Sequence, residues 1–353
     1  MLPPNPPAPQ SMRPAEAAQS QPEPALGSID RWAMTTKERI VALSRPGPRR
    51  VAWILAADLG LIVAAAWLCE LFFSPAAYIL AVMVIGARQA GIGTIVLHDG
   101  AHGYVHPRRK VNDAISVALT SALLVVVVGA GFHRYRATHV NHHRYTNTYD
   151  DPDFRACSYF YTLTRAERVR LLLSALCGLL FLRGCVQYLA AASMPRRALV
   201  VAVAAALAAG CWFGFRPAQL VALYWVLPLA TWGISVNLVR RVCEHYPVFD
   251  PQRAHMPRVL FTRDVLPSWF DALFVTTRGV NYHWTHHIFP SVPFFNLKTL
   301  QAELAATAGY REQAHATRGY HRALREIYVS AVLPRRPPPG LQAAAANRAP
   351  TFQ

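Results

Sequence analysis

The chain has few charged residues and particularly few acidic ones. Charged residues make up 16% of its 353 residues, and 36 Lys and Arg stand against 19 Asp and Glu, a net charge of +17. Hydrophobic residues reach 53% and occur in long runs. This composition excludes a pair of ordinary soluble domains and is typical of a membrane protein. A basic excess also occurs in nucleic-acid-binding proteins. Here the arginines flank the apolar runs, which indicates orientation in a bilayer and no nucleic-acid partner.

Cysteine is scarce, and a secretion signal is missing. None of the six cysteines forms a Cys-x-x-Cys pair, so we interpret them as packing residues and expect neither a disulfide framework nor a zinc ribbon. Residues 1–28 are rich in Pro, Ala, Gln and Ser and lack a basic start followed by an apolar core. They are predicted to be a disordered tail, as are residues 334–353.

Four apolar runs are long enough, or nearly long enough, to cross a bilayer. They lie at roughly 52–73, 77–97, 198–215 and 218–239. Basic pairs or triplets stand at one end of each run, whereas the two tips between paired runs carry a single arginine. The positive-inside rule then places both termini on the cytoplasmic side. The predicted fold is an all-α integral membrane protein with four transmembrane helices in two hairpins and a cytoplasmic helical cap. The bacterial inner or plasma membrane is its expected location.

The remaining segments are assigned from their patterns. Residues 29–50 alternate apolar and charged side chains, which fits an interfacial amphipathic helix or a solvated linker. Two further apolar runs, 114–132 and 169–190, are predicted to be re-entrant or interfacial. A crossing at 114–132 would put the histidine motifs described next on opposite faces. Residues 51–333 together form the predicted membrane domain.

Histidines recur in three motifs with helical spacing. The motifs are His98-x-x-x-His102, His139-x-x-His142-His143 and His283-x-x-His286-His287. Residues three and four apart share a helix face, and imidazole is a common ligand for iron, zinc and copper. A polar helix face explains the first pair equally well, but it does not explain three motifs. These eight imidazoles suffice for two metal ions.

Several neighbouring residues have two interpretations. His245, after Glu244, follows the fourth apolar run and is a candidate ninth ligand. The carboxylates of Asp150, Asp151 and Asp153 either orient ligand imidazoles or form a solvated turn. Arg88, inside the second run, is either a substrate-tunnel group or a partner in an interhelical hydrogen bond, and we favour the latter.

With these motifs in this order, residues 50–310 resemble the membrane fatty acid desaturase and hydroxylase superfamily. The resemblance also rests on the flanks of the motifs, which are His98-Asp99-Gly100-Ala101-His102-Gly103, His142-His143-Arg144-Tyr145-Thr146-Asn147-Thr148, Asp151-Pro152-Asp153, Glu244-His245, Asn281-Tyr282-His283 and Phe289-Pro290-Ser291-Val292-Pro293. It implies two iron ions held by His98, His102, His139, His142, His143, His245, His283, His286 and His287, with O2 as co-substrate. It further implies a desaturase that introduces a double bond into a fatty acyl or lipid chain.

The sequence departs from the family pattern at three points, one of which is Arg241, where some relatives place an asparagine one turn before the extra histidine. Trp284-Thr285 stand where relatives commonly have Leu-Glu. We expect this difference to affect the tuning of the metal site or the choice of substrate. No His-Pro-Gly-Gly haem motif is present, so electrons are expected from an external carrier such as ferredoxin or a cytochrome. The alternatives are a hydroxylase or ketolase of a carotenoid, sterol or acyl lipid, and more remotely a zinc-dependent membrane hydrolase. The absence of His-Glu-x-x-His weighs against the hydrolase.

Overall fold

The computed structural model describes residues 31–124, 131–146, 151–153, 160–245, 262–275 and 278–329. Both predicted tails, and Asp150, lie outside these ranges. The described residues are mostly helical. The helices are α1 (Lys37–Leu43), α2 (Pro48–Leu71), α3 (Pro75–His102), α4 (Arg109–Leu124), α5 (Gly131–Tyr145), α6 (Arg165–Leu176), α7 (Leu179–Ala191), α8 (Met194–Trp212), α9 (Arg216–Glu244), α10 (Trp269–Phe274), α11 (His283–Ile288), α12 (Phe294–Ala305), α13 (Ala308–Gln313) and α14 (Tyr320–Val329). Two strands, β1 (Arg263–Leu266) and β2 (His315–Arg318), pair in parallel.

The four predicted apolar runs correspond to α2, α3, α8 and α9. Each of these helices is long and apolar enough to cross a membrane. The sharp turn between α2 and α3 follows from its residues. Ser74 accepts a hydrogen bond from the backbone N–H of Ala77 at 3.1 Å, and Pro75 occupies the first helical position. α8 buries none of its side chains against the described residues, as expected of a helix that faces lipid.

The two additional apolar runs do not form straight spanning helices among the described residues. The run at 169–190 is divided between α6 and α7, which meet at a bend of 74°. Gly178 lies at this bend with φ of +77°, a left-handed conformation that glycine adopts without strain. The run at 114–132 is covered by α4 only as far as Leu124, and residues 125–130 lie outside the described ranges.

Charged side chains connect α2 and α3 to the residues that precede α11. Asp58 of α2 is fully buried and accepts hydrogen bonds from Arg278, which precedes α11. Arg88 of α3 lies 3.6 Å from the same carboxylate and donates to the backbone carbonyls of Ala272 and Leu273 in α10, at 3.0 and 2.9 Å. Arg88 therefore has the hydrogen-bonding role that the sequence favoured.

The helices around α11 share an apolar core. Trp284 and Ile288 of α11 pack with Leu297 and other leucines of α12. Ile40 and Leu43 of α1 are buried in the same cluster. The apolar face of α1 thus belongs to the same core as α11, the helix that carries the third histidine motif.

Candidate metal centre

Four helices bring the nine histidines to one place. His98 and His102 lie at the C-terminal end of α3, and His245 directly follows α9. The second motif lies on α5 and the third on α11. In α3 the backbone forms a π-helical turn over Thr94–Asp99, which contains His98. Such turns occur frequently at functional sites.

The histidines form two groups whose ring nitrogens converge. His98, His102, His139, His143 and His286 make up the five-histidine cluster, and His142, His245, His283 and His287 make up the four-histidine cluster. Within each cluster one nitrogen per residue lies within 4.8 Å of all the others. His102 and His143 are half-buried, and the other seven are buried.

Both motifs of the form His-x-x-His-His divide their residues between the two clusters. On α5 the i, i+4 pair His139 and His143 joins the five-histidine cluster, and His142 joins the other. On α11 the i, i+4 pair His283 and His287 joins the four-histidine cluster, and His286 joins the other. The assignment is therefore reversed between the two helices.

The separations between imidazole nitrogens fit a metal ion in each cluster. His139 Nε2 lies 2.9 Å from His102 Nε2 and 3.2 Å from His143 Nε2. In the other cluster, His245 Nε2 lies 3.0 Å from His142 Nε2 and 2.9 Å from His283 Nε2. With a metal–nitrogen bond of about 2.1 Å, ligands at right angles are about 3.0 Å apart.

Hydrogen bonds between the imidazoles do not account for this arrangement. A neutral imidazole has one N–H and one acceptor nitrogen, so Nε2 of His139 or His245 does not satisfy two facing Nε2 atoms at once. Among the described residues, both ring nitrogens of His98 are buried without a hydrogen-bond partner, as are Nδ1 of His245 and of His286. Such buried polar atoms need an explanation, and a bound metal is one for the nitrogens that converge.

The environment keeps most of these imidazoles neutral, as metal ligands must be. Burial lowers the pKa of His139, His143, His245, His283, His286 and His287 well below its ordinary value, and neighbouring imidazoles lower it further.

His142 is the exception, because it faces a carboxylate. Burial is the largest influence and lowers its pKa, but the charge and hydrogen bond of Asp151 more than offset this, so that the pKa is raised. His142 Nδ1 lies 2.9 Å from Asp151 Oδ1, and both side chains are buried. The acidic segment had two interpretations, and the position of Asp151 agrees with the one in which a carboxylate orients an imidazole.

Oxygen atoms also face Nδ1 of two other members of the four-histidine cluster. His283 Nδ1 lies 3.2 Å from the carbonyl of Val280, and His287 Nδ1 lies 3.2 Å from the hydroxyl of Thr146. A carbonyl only accepts, so His283 carries its proton on Nδ1 and directs the lone pair of Nε2 into the cluster.

Some of these contacts had no sequence signal, whereas others had a weak one. Thr146 stands four residues after His142, so the helical periodicity of α5 predicts that both side chains lie on the same face. The carbonyl of Val280 has no signature. His133 is exposed, and His315 bonds to Glu326 at 3.3 Å. Of the histidines outside the motifs, His245 joins a cluster, whereas His133 and His315 belong to neither. His255 falls outside the described residues.

An open cleft of about 580 Å³ reaches the five-histidine cluster. Its lining includes His102, His143 and Tyr104. The Tyr104 ring stacks on that of His102, with centroids 5.3 Å apart. The half-buried members of the cluster are therefore the ones that the cleft exposes.

Comparisons with known proteins agree with this site. A 103-residue segment is 35% identical to a β-carotene ketolase from Paracoccus sp., and the match covers 29% of this chain and 40% of the relative. The model of the fatty acid desaturase family matches residues 73–319, which include all nine histidines and most of the chain. The chain belongs to the fatty acid desaturase family.

Proposed function

We propose that the protein is an O2-dependent di-iron membrane oxidase, with one iron in each histidine cluster. The convergence of nine imidazoles into groups of five and four carries this proposal. Imidazole suits iron, whereas a zinc site rarely takes more than four protein ligands. A zinc hydrolase would leave part of this ligand set without a purpose.

The irons, when bound and reduced, would supply the oxidation of an unactivated C–H bond, which side-chain acids and bases do not achieve. The protein's own residues hold the ligands in place. Asp151 and the Val280 carbonyl keep His142 and His283 in the tautomer that presents Nε2 to the metal. Burial of seven of the nine imidazoles limits the access of water to the site, which the cleft reaches at His102 and His143.

The proposed substrate is a fatty acyl or lipid chain that reaches the site from the bilayer, and the proposed reaction is its desaturation. The family match supports this choice. A second candidate is ketolation or hydroxylation of a carotenoid or another lipid, and the match to a β-carotene ketolase favours it specifically. Both reactions begin with the removal of hydrogen from carbon, so the clusters serve either.

We further propose that the termini and histidine motifs face the cytoplasm and that an external ferredoxin or cytochrome supplies electrons. The C-terminal ends of α3 and α9, the second and fourth candidate spans, meet at the metal centre. This agrees with an even number of crossings between the motifs. The basic flanks of the apolar runs then indicate the cytoplasmic side.

Metal content of the purified, detergent-solubilised protein tests the proposal first. We expect about two irons per chain in the wild type, and loss of one in either His142→Ala or His286→Ala, since these residues belong to different clusters. His133→Ala is the matched control, because His133 is exposed on the same helix as His142. One zinc per chain, or metal that is indifferent to both substitutions, would contradict the di-iron assignment.

Product analysis then separates the two reactions. The gene is expressed in a bacterial host that makes both β-carotene and acyl lipids whose chains can be desaturated. His142→Ala is the inactive control. A new double bond in the acyl chains supports desaturation. A new keto or hydroxyl group without a new double bond supports the second candidate.

A further inference from the structure

The third histidine helix is too short to hold its own position. α11 has six residues, and its N-cap residue Tyr282 makes no side-chain capping bond. The first N–H groups of any helix lack partners within the helix, and so short a helix has little stability by itself. Nevertheless, α11 supplies His283, His286 and His287 to the two clusters.

The missing cap is provided by an aspartate from β1. Asp264 Oδ1 accepts the backbone N–H of Thr285 at 3.0 Å, and Oδ2 accepts the Thr285 hydroxyl at 2.6 Å. Tyr310 of α13 donates to the same Oδ2 at 2.8 Å, and Gln301 donates to the Tyr310 hydroxyl at 3.0 Å. Asp264 and Thr285 are fully buried.

The backbone around Asp264 is tied to the same helix. Val265 donates its N–H to the carbonyl of Asn281 at 2.8 Å, and the Asn281 side chain returns a bond to the Val265 carbonyl at 2.9 Å. Asp264 also forms an isolated antiparallel bridge with Tyr282. The strand is thus fixed to the two residues that precede His283, so the carboxylate is held in register with the start of α11.

We propose that Asp264 is a positioning residue for the metal centre, which acts through Thr285 to hold α11 in the orientation that serves both clusters. The inference rests on the proposed di-metal function. It also accounts for the departure at Trp284-Thr285. Thr285, which stands where relatives commonly have glutamate, receives a carboxylate from β1 instead of providing one.

Metal affinity of Asp264→Ala tests the proposal. The metal-free protein is titrated with Co²⁺, and the visible absorption reports each site. Because α11 supplies ligands to both clusters, we expect both affinities to fall by roughly 10- to 100-fold, the usual effect of losing a partner that orients ligands. Asp264→Asn keeps an acceptor for the Thr285 N–H and should restore both affinities to within about threefold of wild type.

A matched control separates positioning from general stability. Asp271 is also buried and caps a short helix, because it accepts from the N–H of Ser268 at 2.9 Å at the start of α10. α10 carries no histidine. Asp271→Ala should lower the unfolding temperature of the metal-free protein but leave both Co²⁺ affinities unchanged.

A milder pair of variants covers the case in which Asp264→Ala does not fold. Thr285→Val removes only the hydroxyl donor and should weaken both sites, whereas Thr285→Ser retains the hydroxyl and should not. If Asp264→Ala or Thr285→Val bound Co²⁺ at both sites with the same affinities as Asp271→Ala, the inference would be overturned. Absence of Co²⁺ binding by the wild type would instead overturn the proposed function.

Discussion

Substitution of Asp151 should weaken one metal site and leave the other intact. Asp151 Oδ1 lies 2.9 Å from His142 Nδ1, and His142 belongs to the four-histidine cluster alone. When His142 binds a metal through Nε2, its proton must remain on Nδ1. In Asp151→Ala this N–H is left in a buried site without its carboxylate partner. The metal-free protein escapes part of this cost, because the proton can move to Nε2.

The size of the effect follows from the burial. The His142 side chain is 2% exposed, and a buried donor that loses its partner costs about 1–3 kcal/mol. At about 1.4 kcal/mol per tenfold change, metal affinity at the four-histidine cluster should fall by roughly 5- to 150-fold. The five-histidine cluster should keep its affinity, because none of its members contacts Asp151 within the described residues.

Titration of metal-free protein with Co²⁺, followed by visible absorption against a competing chelator, measures the two sites separately. Asp153→Ala is the matched control. It removes the same charge two residues away. The backbone N–H of residue 153 can still donate to Asp151 Oδ1 in this control, because Asp151 is present. Equal weakening of both sites, or an Asp151→Ala protein that binds like Asp153→Ala, would refute the reasoning.

Three further substitutions test the framework that holds the site, each by thermal unfolding of the metal-free protein in detergent. Gly86→Ala places a Cβ 2.8 Å from backbone atoms of α9 and should cost about 1–3 kcal/mol, whereas Gly60→Ala, whose Cβ meets nothing within 4 Å, should cost less than 1 kcal/mol or stabilise. Asp58→Ala leaves two arginines without their buried counter-charge and should cost about 3–5 kcal/mol; Glu70→Ala, in a more exposed ion pair, should cost about 1 kcal/mol or less. Asp113 has its pKa lowered to about 2 by hydrogen bonds from an arginine of α5. Asp113→Asn should therefore lower the unfolding temperature at neutral pH, and the difference should disappear as the pH falls from about 4 through about 2.

The sequence predicts those parts of the molecule that follow from short-range periodicity. The apolar runs locate the four candidate spanning helices to within a few residues, except that α3 and α9 extend beyond theirs to His102 and Glu244. The i, i+3 and i, i+4 spacing locates the histidines on common helix faces. Both signals lie within one or two helical turns, so neither requires knowledge of the tertiary structure.

Contacts between distant segments could not be predicted in this way. The Asp264 side chain bonds directly to Thr285, and Asp264 lies in a two-stranded sheet whose strands, β1 and β2, are four residues each. Such short strands have no distinctive pattern. The packing of Ile40 into the apolar core around α11 could not be predicted either, because an amphipathic helix has the same periodicity whether its apolar face meets lipid or protein.

The division of each His-x-x-His-His motif between the two clusters explains why this motif contains a third histidine. Residues four apart on a helix differ by about 40° in direction, and the residue three positions on lies about 60° to the other side. The i, i+4 pair therefore joins one cluster, and the third imidazole reaches the neighbouring one. His142→Ala and His143→Ala, although adjacent in sequence, should each remove a different metal, and spectra of the Co²⁺-loaded variants should be complementary. Loss of the same metal in both variants would show that α5 does not bridge the two sites.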